Sequence, residues 1–465
     1  MPEPTRSDPA HIPPLTAPGL FPAFAIVAAA ILLVGIPAWF GLLSLPALAL
    51  LAITAGTLGL AILRREPRVL AIAIPALLFS PMLVYTYAWE LLLGGSLALL
   101  VFAGWHRRAP WLQRASWPEL VMLALTAWAV FTGFWSDDAR NYLIQFRRVM
   151  LGLGTFWFAS RLWVIAPRRW FEFGLLLTTL TLGLAALGHQ LTSGLSHSEA
   201  LMRRPEATNL GWGTANFIAT LLLLLAPIVL ALATQRRGRM RVVGWLSTAL
   251  NAIMQLVIAS RAASVLFVGG TLVQVLGQRG RRAFWTALAV LGGLAGLLAS
   301  PLGQPVFDRF TNLRELGSMT IRIWYLREGW RRLIEHQPFG LGLGQGYAYP
   351  DKLHGLDPHN YWLDVGGDLG IPGLLLWCAL LLLIWKALGR MSRTPDWVVM
   401  GRALRISFVM AQLHTLVEPT YQGSQYQFLF YWVFGGFLGY HAHEHPEAQR
   451  AAAPGAEEPA ASSAR

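Results

Sequence analysis

The sequence predicts an all-α, polytopic transmembrane helical bundle of about 12–14 spans with a periplasmic helical loop domain, and three observations predict it. Apolar runs close to 20 residues recur from end to end, long enough to cross a hydrocarbon core of roughly 30 Å. Charged residues make up 13% of the chain against 55% hydrophobic, where a soluble domain carries roughly a quarter charged residues. Lys and Arg gather in short clusters between alternate apolar runs, which is the signature of cytoplasmic loops.

In order along the chain, a polar lead (1–19) precedes apolar segments near 20–40, 44–63, 69–87, 89–104, 118–135, 149–166, 170–188, 214–234, 242–259, 262–278, 283–300, 369–388, 403–420 and 426–441. The lead shows no small-residue cleavage site, so the first run is expected to be a retained helix rather than a signal peptide. RREPR (64–68), HRRAPWLQR (106–114), RR (168–169), RRGRMR (236–241), RGRR (279–282) and KALGRMSR (386–393) each follow an even-numbered segment. That bias places both termini in the cytoplasm. Two weak early segments read equally as one re-entrant pair, which sets the lower span count. The expected organisation is therefore a cytoplasmic N-terminal tail (1–19), about eleven transmembrane helices (20–300), a periplasmic loop domain (301–368), C-terminal transmembrane helices (369–442) and a low-complexity cytoplasmic tail (443–465).

The net charge of +13 raises a nucleic-acid reading, but no basic stripe with interleaved aromatics forms a domain. Cys378 stands alone within an apolar run, so it forms neither an intrachain disulfide nor a thiolate metal site.

Longer stretches face the periplasm at 135–148, 189–213 and 301–368, and long loops on a rigid scaffold usually carry the chemistry. Within the last, SMTIRIWYLREGWRRLIEHQPFG (318–340) begins at a capping Ser318 and stops at Pro338 and Gly340. Ile323, Trp330 and Leu333/Ile334 recur at helical spacing, with Arg322, Arg327, Arg331 and Arg332 around them. Such a helix suits a membrane surface. GLGLGQGY (340–347) has no preceding strand and no GK[ST] ending. It therefore reads as a turn that lets backbones approach closely, not as a phosphate loop.

Depth along the membrane normal selects the functional candidates. Arg140, Arg147, Arg148, Arg203 and Arg204 lie at periplasmic span ends, and Arg261 sits at a nearly absent turn in ASRAAS (259–264). An arginine at that depth is a functional hypothesis by default. The alternative is snorkelling to headgroups, but the small residues flanking Arg261 indicate close helix packing. Outward arginines at a low-dielectric rim suit a lipid-linked phosphate or pyrophosphate, because guanidinium donors match phosphate oxygens. No acidic cluster with metal spacing accompanies them, and neither a metal nor a cofactor is expected. His359 precedes the next span. A neutral imidazole there could accept a hydroxyl proton, with Asp357, Asn360 or Asp364 orienting the ring; a helix-capping or headgroup-facing histidine is an equal alternative.

Three blocks in order, SRAAS (260–264), RIWYLREGWRRLIEHQPFGLGLGQGY (322–347) and HNYWLDVGGDLGIPG (359–373), resemble the O-antigen ligase and polymerase superfamily, and GTANFIATLLLLLAPI (213–228) is similar to a further block. The likeness runs over roughly 120–440. It implies an inverting, metal-independent glycosyltransferase with about twelve spans in the bacterial inner membrane and its active site on the periplasmic face. Its donor would be a glycan on undecaprenyl pyrophosphate and its acceptor the lipid A-core sugar. The family's functional arginine after the serine matches Arg261, its loop arginine before the tryptophan matches Arg322, and its histidine of the HN pair matches His359. Arg147 and Arg148 match more loosely. Arg140, Arg327, Asn360 and Asn216 complete the expected substrate-binding set. Two departures stand out: Asp368 occupies the place of the usual glutamate, and the segment count exceeds the family's by two. A polymerase or a protein O-oligosaccharyltransferase of the same superfamily is the alternative reading. A lipid-glycan transporter would require polar residues deep in the spans, and Glu90, Gln255, Gln412 and His414 do not align into a pathway.

Overall fold

The computed structural model describes residues 115–164, 166–192, 215–258, 260–277, 317–345, 360–418 and 423–446, with residues 292 and 296 described singly. The segments expected near 20–104 and the two tails lie outside the described residues. The described residues are helical and contain no strand. The described residues form ten α-helices: α1 Trp117–Phe131, α2 Ala139–Ala159, α3 Arg168–Thr192, α4 Ala215–Gln235, α5 Gly238–Ile258, α6 Arg261–Leu276, α7 Gly317–Glu335, α8 Tyr361–Met391, α9 Val398–Thr415 and α10 Ser424–Glu444. Among the described residues, four stretches are long and apolar enough to cross a membrane: Trp117–Trp135, Arg168–Gly188, Asn216–Gln235 and Tyr361–Met391.

Local chemistry sets the helix starts. Pro118 sits in the first turn of α1, where its missing N–H costs nothing. The Glu119 carboxylate there accepts from the Ser116 backbone N–H at 2.6 Å. Asp138 caps α2 by accepting from Asn141 N at 3.0 Å. This cap starts α2 well before the apolar run near 149, so Arg147 and Arg148 lie inside a helix and not in a connecting stretch.

Helix α4 is the axis of the bundle. Leu221, Leu222, Leu223, Leu224 and Leu225 are all fully buried, which requires neighbours on every side: α3, α5, α6, α9 and α10. Lipid tails are as apolar as leucine, so helix association there relies on close fit and interhelical hydrogen bonds. The carbonyls of α4 supply these bonds. They accept from Gln255 Nε2 (Ala219 O, 2.9 Å), Asn251 Nδ2 (Leu222 O, 2.8 Å), Ser407 Oγ (Leu224 O, 2.5 Å) and Gln274 Nε2 (Pro227 O, 2.8 Å). Helix α10 meets α2 through Gly435 and Gly439, four residues apart. A Cβ at Gly435 would lie 2.8 Å from Phe156 O, and one at Gly439 would strike Ser160 O.

The two ends of the bundle differ. The ends that carry the basic clusters are bound to one another. Glu444 accepts from Trp397 Nε1 at 2.9 Å and pairs with Arg168 at 3.5 Å. Glu172 pairs with Arg168 at 2.7 Å and with Arg236. Arg161 pairs with Glu119, and Arg402 donates to Gly277 O at 3.2 Å. Among the described residues, the basic clusters at 168–169, 236–241 and 386–393 therefore lie at one physical end. The opposite end gathers the starts of α2, α4, α6, α8 and α10.

Candidate active site

At that opposite end α8 is two helices joined at a break. Gly370 has φ 66° and ψ −168°, a conformation essentially restricted to glycine. A break inside an apolar helix strands carbonyl and N–H groups that hydrocarbon cannot hydrogen-bond. Here the segment after α7 satisfies them. Leu341 N donates to Gly367 O at 2.9 Å, Gly342 N to Asp368 O at 2.9 Å, and Ile371 N to Pro338 O at 3.0 Å. Gln337 donates to Gly366 O at 3.3 Å, and Trp128 Nε1 closes the set on Leu369 O at 2.7 Å. Gly340 allows the approach, since a Cβ there would lie 2.5 Å from Asp368 O. The GLGLGQ stretch is thus a backbone clamp on α8, with its N–H groups engaged. Asp368 is part of the clamp, accepting from Gly344 N at 2.8 Å.

The clamp also reaches the start of α2. Gln345 Oε1 accepts from Asp138 N at 3.0 Å, and its amide donates to Asp138 O at 3.1 Å and to Ser136 Oγ. Gly344 abuts Asn141 and Gln145, and Gln145 Oε1 accepts from Arg148 Nη1 at 3.2 Å. Arg147 and Arg148 are half-buried along this side, whereas Arg140 is exposed in the first turn of α2.

A second group of polar residues converges on the end of α9. Asn360 is buried and caps α8 by accepting from Trp362 N (3.0 Å) and Leu363 N (3.2 Å), while its Nδ2 donates to Leu416 O at 3.2 Å. Asn216, in the first turn of α4, donates to Glu418 Oε1 at 2.7 Å. Glu418 and His414 are buried. Thr220 Oγ1 gives its proton to Asn216 O at 2.7 Å, so its contact with His414 Nδ1 at 3.1 Å takes a proton from the ring and sets the tautomer. Arg261 opens α6, half-buried, behind a buried Ser260. Ser264 Oγ donates to Gln255 O at 3.2 Å, and Gln255 bonds to Ala219 O, one turn from Asn216. Arg261, Asn216 and Asn360 therefore belong to one end of the bundle.

Two expected catalytic positions fall beyond these contacts. His359, together with residues 346–358, lies outside the described residues, and Arg322 lies on α7 with its side chain outside them. Arg327 is exposed on α7. Glu328 on the same helix is held below the usual carboxylate range by its hydrogen bond from Arg331, with Arg332 adding its charge. Among the described residues no three His, Cys, Asp or Glu side chains lie close enough together to hold a metal ion.

Glu418 and the His414–Thr220 pair were not reached from the sequence as site residues. For Glu418 the signal is a carboxylate directly before Pro419 at the end of an apolar run, and His414 is readable only as an isolated polar residue within a span. Gln255, read as one of a few scattered intramembrane polar groups, serves as a tie between α5 and α4.

Apolar helices long enough to span a membrane, a broken helix at one end and polar groups gathered there are the features of a helical membrane protein with a candidate site at one rim. Residues 246–378 match the family model described as O-antigen ligase. The matched segment is less than a third of the chain and contains Arg261, Arg322, Arg327, His359 and Asn360. Members of that family are glycosyltransferase-like ligases and polymerases that use lipid-linked glycans. No curated protein matches the chain.

Proposed function

We propose that the protein is an O-antigen ligase of the bacterial inner membrane. It would transfer a glycan from undecaprenyl pyrophosphate to a lipid A-core sugar on the periplasmic face, where the clamp and the α9 end lie, with both termini cytoplasmic. The observation that carries this reading is the anchoring of Asn360. The residue directly after His359 is a buried cap tied to α9, at the same end of the bundle as Arg261. In this reading the acceptor hydroxyl attacks the anomeric carbon with inversion and a new C–O bond forms. The bond from the anomeric carbon to the phosphate oxygen breaks, and undecaprenyl pyrophosphate leaves with the electron pair. The hydroxyl proton passes to His359. Arg261 and Arg322, with Arg147 or Arg148, offset the charge developing on the leaving group, the kind of term worth roughly 10²–10³-fold per donor. The exposed Arg140 and Arg327 are available to the glycan. Asn360 and Asn216 act as positioning residues through α8 and Glu418.

The experiment is transfer from purified lipid-linked donor to lipid A-core, to a second lipid-linked glycan, or to a protein hydroxyl, each supplied separately. Transfer to lipid A-core alone is expected, and His359→Ala should lower it by about 10²–10⁴-fold. Full activity of His359→Ala would remove the base assignment. Preference for either other acceptor would make the protein a polymerase or a protein O-oligosaccharyltransferase. Loss of activity in chelator would overturn the metal-independent scheme.

A further inference from the structure

Helix α7 has a broad apolar side, and only part of it is covered. Tyr325 and Gly329 are buried, and Leu333 packs on Gly366 of α8. Ile323, Trp330 and Ile334 are 60%, 52% and 69% exposed. At about 100° per residue these three fall within roughly 40° of one another, centred about 120° from the middle of the Tyr325–Gly329–Leu333 face. Leu326, 38% exposed, lies between the two, so the stripe is the uncovered continuation of the packed face. Arg327 and Arg331 border it on one side, both exposed, and Arg331 is paired with Glu328 at 2.6 Å and with Glu335 at 3.4 Å. Over Gly317–Glu335 four arginines stand against two glutamates, a net charge of +2.

Helix α7 runs for 19 residues, about 28 Å at the α-helical rise. Its C-terminal end is held at a definite level. Pro338 and Gln337 bind the α8 break. Phe339 lies 6.2 Å from both Trp128 and Trp135, at the end of the apolar Trp117–Trp135 stretch. Phe131, Phe134 and Phe339 are exposed in this cluster, and aromatic rings at the end of a spanning helix mark the membrane–water boundary. The cleft there, about 510 Å³ and lined by Phe131, Trp135, His336, Gln337, Phe339 and Gly340, is aromatic, and both polar groups of the Gln337 amide are engaged with α8. Its chemistry fits lipid better than a polar ligand.

We infer that α7 docks its Ile323–Trp330–Ile334 stripe onto the bilayer surface, with the helix's net positive charge at the level of the lipid phosphates, so that the loop domain is held by lipid on one side and by α8 on the other. Amphipathic helices of this kind sink their apolar face roughly 5–10 Å into the boundary between headgroups and acyl chains. The inference rests on the exposure and position of α7 and not on the transferase reading.

The test uses the full chain in a Cys378→Ser background, reconstituted in bilayers with brominated acyl chains. An environment-sensitive fluorophore is placed at Ile334→Cys or at the neighbouring Glu335→Cys, which lies about 100° around the helix. Quenching at 334 is expected to exceed that at 335 by roughly twofold or more. Trp330→Cys against Arg331→Cys should repeat the pattern if Ile334→Cys disturbs the fold. Equal quenching at both members of each pair, or none at either, would overturn the docking. Disulfide cross-linking of two chains through Ile334→Cys without quenching would also overturn it, and would assign the stripe to a second copy of the protein.

Discussion

Replacing Gly370 by alanine tests the clamp most directly. The residue holds φ 66° and ψ −168°, and forcing a residue with a Cβ there costs about 1–3 kcal/mol in backbone strain alone. The new Cβ would also lie 2.5 Å from Phe339 C and 2.7 Å from Gly340 N, and would strike Pro338 O. These are backbone atoms of the clamp, so no side-chain rotation relieves them. Overpacking of this kind adds roughly 1–3 kcal/mol, giving a total of about 2–6 kcal/mol. Relief by lifting residues 338–340 would break the bonds of Ile371 N, Leu341 N and Gly342 N, each worth about 0.5–1.5 kcal/mol net. The assay is the thermal unfolding midpoint of the purified protein in one detergent, with Gly389→Ala as control. Gly389 lies in the same helix, and nothing stands within 4 Å of the place its added methyl would take. That replacement should be neutral or stabilising by up to about 1 kcal/mol. A Gly370→Ala protein that melts with the wild type, or with Gly389→Ala, would refute the reasoning.

Two further outcomes follow from particular contacts. Glu119→Ala leaves the buried Arg161 guanidinium without its carboxylate and should cost roughly 3–5 kcal/mol. The double variant Glu119→Leu/Arg161→Met should recover much of that loss, and a double variant no more stable than the single one would contradict the account. Asn360→Ala should cost about 1 kcal/mol for the lost cap, whereas Asn360→Asp keeps the acceptor for Trp362 N and Leu363 N but cannot donate to Leu416 O. The aspartate is therefore expected to restore stability without restoring transfer, and recovery of both would reduce Asn360 to a simple cap.

The spanning helices were legible because a long apolar run in lipid has one way to satisfy its backbone, and needs no distant partner to do so. The basic clusters were legible for the same local reason, and the structure brings the described ones to one end. The close backbone approach at GLGLGQ was also readable from its glycines. The start of α8 was not. Asp364, Asp368 and the glycine pair interrupt the apolar pattern, so hydropathy begins the span near 369, while the helix begins at Tyr361 on the Asn360 cap. Likewise, the polar stretch before 149 reads as a connection until Asp138 is seen to cap α2.

By itself the sequence determined that this is a helical membrane protein, how its charge alternates, and which blocks resemble the ligase family. Each depends only on neighbours along the chain. Tertiary structure decided that α8 breaks at Gly370 and that the glycine segment supplies the missing hydrogen bonds. It also decided that Asn216 and Asn360 meet the end of α9 beside Glu418. The physical reason is that every one of these features is a hydrogen bond across a large sequence separation. Trp128 to Leu369, Asn216 to Glu418 and Asp138 to Gln345 join residues whose relation no local pattern encodes.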